Sequence, residues 1–145
     1  LVPAQDPHQG MNDHGAMVMG FDQAKTAHHF YLYDDGGALD ISVKDAADTK
    51  DRDGIRRHLP HIAMMFGTGD FDAPMLVHDT EDVPGIDVLT TRNDRVRYTY
   101  VETPAGGRVN IVTTDRDALA ALHAFLAYQI KEHRTGDSMT VTKRP

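Results

Sequence analysis

The sequence predicts an α+β fold, with duplicated ββα units forming a four-stranded antiparallel sheet backed by two helices. Three observations carry this reading. Two alternating apolar runs each lead through a Gly-Gly pair into a second run, as in a hairpin. Each hairpin is followed by apolar residues at helical spacing. The halves also share an order and an offset of 67, which sets Ile55 on Leu122 and Leu59 on Leu126.

Residues 1–24 carry Pro3, Pro7, Gly10, Gly15 and Gly20 without apolar periodicity and read as an arm. From His28 the chain alternates, with Phe30 and Leu32 on one face and Tyr31 and Tyr33 on the other, before Asp34-Asp35-Gly36-Gly37 turns it. Leu39, Ile41 and Val43 form the apolar face of the return strand. After the polar stretch 45–53, Ile55, Leu59, Ile62 and Phe66 predict a helix that stops at Gly67-Thr68-Gly69. Pro60 inside it removes the hydrogen bond to the Arg56 carbonyl and is expected to introduce a kink.

Residues 71–92, with Pro74, Pro84 and Gly85, read as a connector holding a short strand at 75–78. Residues 96–101 are the next strand, Pro104-Ala105-Gly106-Gly107 its turn, and Val109 and Ile111 lie on the strand that returns. Leu119, Leu122, Leu126 and Ile130 make the last helical stripe, closing at Thr135-Gly136-Asp137. The expected organisation is the arm 1–24 and one domain 25–145. The domain divides into a first half 25–70, the connector 71–92, a second half 93–138 and a tail 139–145.

With 40% hydrophobic and 26% charged residues the composition is that of a globular domain. A formal net charge of −7 argues against a nucleic-acid partner, which would demand clustered Lys and Arg. No apolar stretch approaches the roughly 20 residues of a membrane span. The start at Leu1 rather than Met is the form that export and signal cleavage would leave, so a periplasmic or secreted protein is expected. An exposed sheet face bearing Tyr31 and Tyr33 is a candidate homodimer surface.

The absence of cysteine removes disulfides, thiolate zinc, Fe–S clusters and c-type haem attachment together. Any metal must take His, Met, Asp or Glu, and the chain has nine histidines and seven methionines. Alternation puts His28 on the face of Phe30 and Leu32, toward the helices. His29 belongs to the opposite face or joins from a strand end. His58 edges the first helical stripe, with His61 beyond it at i+3. His123 falls inside the second stripe, while His133, near that helix's C-terminus, suits the helix dipole.

The expected metal group is therefore His28, His58, His61 and His123 from three elements facing one core, with His29 at its margin. Met17 or Met19, flanking His14 in Met-x-x-His-x-x-Met-x-Met, would be soft caps. His78-Asp79 pairs an imidazole with a carboxylate that could orient it. A metal ion is the expected cofactor, copper first and zinc second, held for binding or handling. A metal-dependent enzyme with three histidines on Cu or Zn is the alternative, as is a haem or small-molecule module. No Gly-x-Ser-x-Gly, phosphate loop or His-Glu-x-x-His supports a hydrolase or a nucleotide binder.

Met19-Gly20-Phe21-Asp22-Gln23, His28-His29-Phe30, Ile55-Arg56, His58-Leu59, His61-Ile62-Ala63, Gly69-Asp70-Phe71, Pro74, His78-Asp79 and Gly106-Gly107-Arg108-Val109 form a distinctive string, completed by the segment from His123 to Thr135-Gly136-Asp137. Over about 120 residues it resembles a family of small, mostly exported bacterial proteins. Some of these carry a carbamoyltransferase name, which this chain does not fit. It has no Ser-Thr-Arg-Thr carbamoyl-phosphate loop and is too short for that fold. The resemblance implies the fold and export, and no particular reaction.

Overall fold

The computed structural model describes residues 20–78 and 82–145. Met17 and Met19, with His8, His14 and Asp79, lie outside the described residues. The strands are β1 (Thr26–Tyr33), β2 (Gly36–Val43), β3 (Val96–Thr103) and β4 (Gly106–Thr113). The helices are α1 (Thr49–Gly67), α2 (Asp72–His78), α3 (Ile86–Thr91) and α4 (Arg116–His133). The four strands form one antiparallel sheet in the order β1-β2-β4-β3. The α+β class and the four-stranded antiparallel sheet are thus as the sequence predicts.

The two long helices back the sheet as expected, and two short helices are added between the halves, the first of them where a short strand is expected. Asp70 Oδ1 accepts from Asp72 N and starts α2, and Pro74 sits in the first turn, where its missing N–H costs nothing. Ala73 and Val77, four residues apart, are both buried. That i,i+4 pair suits a helix, and Val77 is the segment's one β-branched residue. The first long helix also begins earlier than the apolar stripe: Asp48 caps it by accepting from Asp51 N, and Pro60 lies inside it.

Each hairpin turns on two residues, Asp34-Asp35 and Pro104-Ala105, so the glycines expected in the turns instead open the returning strands. The reason is the close approach of β2 and β4 at the sheet centre. A Cβ on Gly36, whose φ is +149°, would stand 1.9 Å from the Ile111 carbonyl oxygen, and one on Gly106 would stand 2.1 Å from that of Ile41.

The core lies between the inner sheet face and the long helices. It contains Ile41, Val109 and Ile111 from the strands, Ile55, Leu59 and Phe66 from α1, and Leu122, Leu126 and Ile130 from α4. α1 packs on β3 and β4, and α4 on β1 and β2, so each long helix covers the hairpin of the other half. Leu126 lies over Gly37 and Leu59 over Gly107.

Two segments beyond the expected boundaries pack onto this body. Phe21 is buried and Asp22 N donates to Asp51 Oδ1 at 3.0 Å, so residues 21–24, expected in the arm, belong to the folded unit. Gly54 gives this segment room, since a Cβ there would lie 3.0 Å from Gly20 O. At the other end, Thr142 makes a parallel bridge to Tyr33, and Arg144 lies over the Tyr33 ring at 4.6 Å. Tyr33 is therefore 5% exposed and contributes little to an open sheet face. No described helix is long and apolar enough to cross a membrane.

Candidate functional site

Alternation along β1 turns His28 inward beside Phe30, as expected. What it meets there is His133, one turn beyond the last apolar residue of the α4 stripe. The two imidazoles stack with centroids 5.6 Å apart and planes 15° apart. His78, at the end of α2, meets the same His133 ring edge-on at 5.1 Å. Phe21 flanks His28 on its other side at 6.2 Å. Three histidines from β1, α2 and α4 thus converge at one place, although only His28 belongs to the expected set.

Burial decides their charge. His28 is pushed down to about 4 by loss of water, with further lowering from the neighbouring His29 and from Lys44. Burial lowers His78 too, against the opposing effects of a hydrogen bond to Gln129 and the charge of Glu132. Both rings are therefore neutral at pH 7, the form in which imidazole donates a lone pair. His78 Nε2–H donates to Gln129 Oε1 at 2.8 Å, which leaves Nδ1 as its lone-pair nitrogen.

The cluster stands between two adjoining spaces. Behind it is an inner chamber of about 70 Å³ whose walls are almost wholly carbon, from Ile62, Phe66, Val77, Phe125, Leu126 and the inner sheet residues. In front is a polar vestibule of about 410 Å³ lined by Thr26, His29, Lys44, Arg134 and Thr135, with no carboxylate among its lining residues. Gln23, His28 and His133 line both. Gln23 and Gln129 are 7% and 4% exposed, and the Nε2 of each is buried without a hydrogen-bond partner among the described residues. A buried amide donor left unpaired costs about 1–3 kcal/mol.

The other expected ligands lie elsewhere. His29 faces away from the core, where its Nδ1–H donates to Asp137 Oδ1 at 2.9 Å while Asp137 Oδ2 accepts from Phe30 N. The half-buried His58 packs on the backbone of Gly20, and His61, three residues along α1, is exposed. His123 donates from Nε2–H to the carbonyls of Tyr33 and Gly36, at 2.7 and 3.0 Å. Tyr33 is five residues from His28, roughly 16 Å at strand rise. His28, His58 and His123 therefore do not meet, because β1 carries His28 and the His123 acceptors at opposite ends.

The residues that do meet had a legible signal. Leu122, Leu126, Gln129 and His133 follow a 4-3-4 spacing, which continues the core stripe of α4 into polar residues. Pro74 and His78 are likewise four apart on α2. Among the described residues no three His, Asp or Glu side chains stand already arranged about a common point for a metal ion. No protein-family model matches the chain, and neither a curated protein nor a solved structure does, so the site is read from its own chemistry.

Proposed function

We propose that this chain is an exported metal-binding protein whose ligands are His28, His78 and His133, with copper the favoured ion and zinc the second. One observation carries the reading: the His133 ring lies 5.6 Å from that of His28 and 5.1 Å from that of His78, three imidazoles from separate elements, and two of them are held neutral by burial. Rings bound to one tetrahedral or trigonal ion through nitrogens at about 2.0–2.1 Å have centroids roughly 5 to 6 Å apart, and because the ion lies in the plane of each ring, His28 and His133 must turn out of their stack to share it. The bond from His78 Nε2–H to Gln129 Oε1 adds support, since metal-ligating imidazoles commonly donate their other N–H to a carbonyl or carboxylate oxygen.

Imidazole suits copper and zinc alike, and thioethers tilt the preference toward Cu(I). Met19 stands two residues before Phe21 in the sequence, and Met17 four. That proximity in sequence supports Met19, and after it Met17, as soft donors. The small chamber favours an ion over a haem, whose macrocycle far exceeds about 70 Å³.

The test is metal analysis and titration of protein purified without an affinity tag. Stoichiometric copper or zinc is expected, falling at least tenfold in affinity in His78→Ala and His133→Ala and unchanged in His61→Ala. Absence of stoichiometric metal, or equal binding by all three variants, overturns the reading. The adjoining chamber favours a metal-dependent enzyme as the second reading, since a catalytic ion keeps one position open for a small substrate.

A further inference from the structure

The inner chamber is more than spare volume behind the histidines. It joins carbon walls to two buried amide donors, Gln23 Nε2 and Gln129 Nε2, neither of which has an acceptor among the described residues. Gln129 is held from its other end, because its Oε1 takes the His78 N–H at 2.8 Å, which fixes the amide so that the donor end is the unpaired one. A core that merely needed filling would place leucine or methionine at these positions. Donors without acceptors in a carbon-lined space call for an acceptor carried by something that enters it.

We infer that the chamber binds a small uncharged carbonyl compound, its oxygen taken by Gln23 and Gln129 and its carbon body by the wall of Ile62, Phe66, Val77 and Leu126. Size limits the class. An apolar cavity of about 150 Å³ takes benzene, so about 70 Å³ takes roughly three or four non-hydrogen atoms, the scale of a short ketone, aldehyde or amide. Charge limits it further: a carboxylate would lose its water among carbon walls with no Lys or Arg among the lining residues. The vestibule adjoins the chamber, with Gln23, His28 and His133 lining both spaces. The imidazoles of His28, His78 and His133 share the chamber wall and His78 holds Gln129, so the inference rests on the same cluster as the proposed function, while its donors are the amides and not the rings.

Acetone and isobutene test it, being planar molecules of the same size that differ in the carbonyl oxygen. Chelator-treated full chain is titrated with each and followed by NMR of the isoleucine, leucine and valine methyls and the glutamine side-chain amides. Saturable acetone binding is expected, on the order of millimolar for so small a molecule. Gln23→Leu and Gln129→Leu should each weaken acetone about fivefold, one hydrogen bond's worth, and leave isobutene within about twofold. Ala73→Leu, which fills the chamber, should abolish both. Acetone shifts that never saturate in the unsubstituted chain overturn the inference whatever the variants do, as does acetone binding that both Gln→Leu variants retain in full. Metal analysis of the same samples keeps the two ideas separate, since acetone binding can fail while stoichiometric metal stands, and the reverse.

Discussion

His78 and Gln129 join the end of α2 to α4 through one hydrogen bond of 2.8 Å, from His78 Nε2–H to Gln129 Oε1. Burial lowers the His78 pKa, and this bond opposes the lowering because the amide oxygen stabilises the protonated ring. In Gln129→Leu the His78 pKa is therefore expected to fall further below 6.5. Imidazole resonances followed against pH measure it, and an upward shift would contradict the assignment of the bond.

His28 gives the fold a pH dependence of definite sign. Its folded pKa is about 4, against 6.5 for the free side chain. Between these values the unfolded chain binds a proton that the folded chain does not, so stability rises with pH across that window. The contribution is complete above about 6.5 and lost as pH falls toward 4, amounting to roughly 2 kcal/mol once partial exposure is allowed for. His78 acts in the same direction. Urea titrations from pH 4 to 7 should show the slope, reduced in His28→Gln; an equal slope in that variant would assign the effect to other groups.

His123 holds the first hairpin to α4. Both of its acceptors are backbone carbonyls, so Nε2 must carry the proton. His123→Leu is expected to cost about 1–3 kcal/mol in chemical denaturation and to leave metal affinity unchanged. A variant of normal stability that no longer binds metal would return His123 to the ligand set.

Arg144 pins the C-terminal segment. Its guanidinium donates to Asp35, to Asn110 Oδ1 and to the carbonyls of Gly37 and Ile111, and it covers the Tyr33 ring. Arg144→Ala should destabilise by about 2 kcal/mol and increase the exposure of Tyr33, read by its fluorescence quenching. Lysine at this position is expected to recover less than half, because a single ammonium cannot reproduce the planar fork.

The strands, the two long helices and the inward turn of His28 were legible because period and alternation follow directly from backbone geometry. Ile55, Leu59, Ile62 and Phe66 are all buried, as their spacing requires. The site was only half legible. Three buried-looking histidines were expected to converge, but facing the same core does not fix position along a strand, and β1 separates His28 from His123 by most of its length. His133 was hidden by its place at a helix end, where a helix-dipole role sufficed to explain it. Gln129 carries no chemistry that a motif would flag, and its meaning depends on a tertiary partner, His78, 51 residues away.

The two edges of the sheet are not alike. Along β1, Phe30 N donates to Asp137, Leu32 O accepts from Thr142 N, and Asp34 N, just past the strand, donates to Thr142 O. The chain's own C-terminal segment thus occupies the outward row of polar groups that would otherwise recruit a neighbouring strand. Among the described residues, β3 is left as the edge where another strand can add. A sheet that accepts a strand on one side can close with a second copy about a two-fold axis, but it has no second side from which to propagate. Asp137 and Thr142 therefore cover one edge of the sheet, and removing the segment that carries them would expose that edge, which would be felt first in solubility.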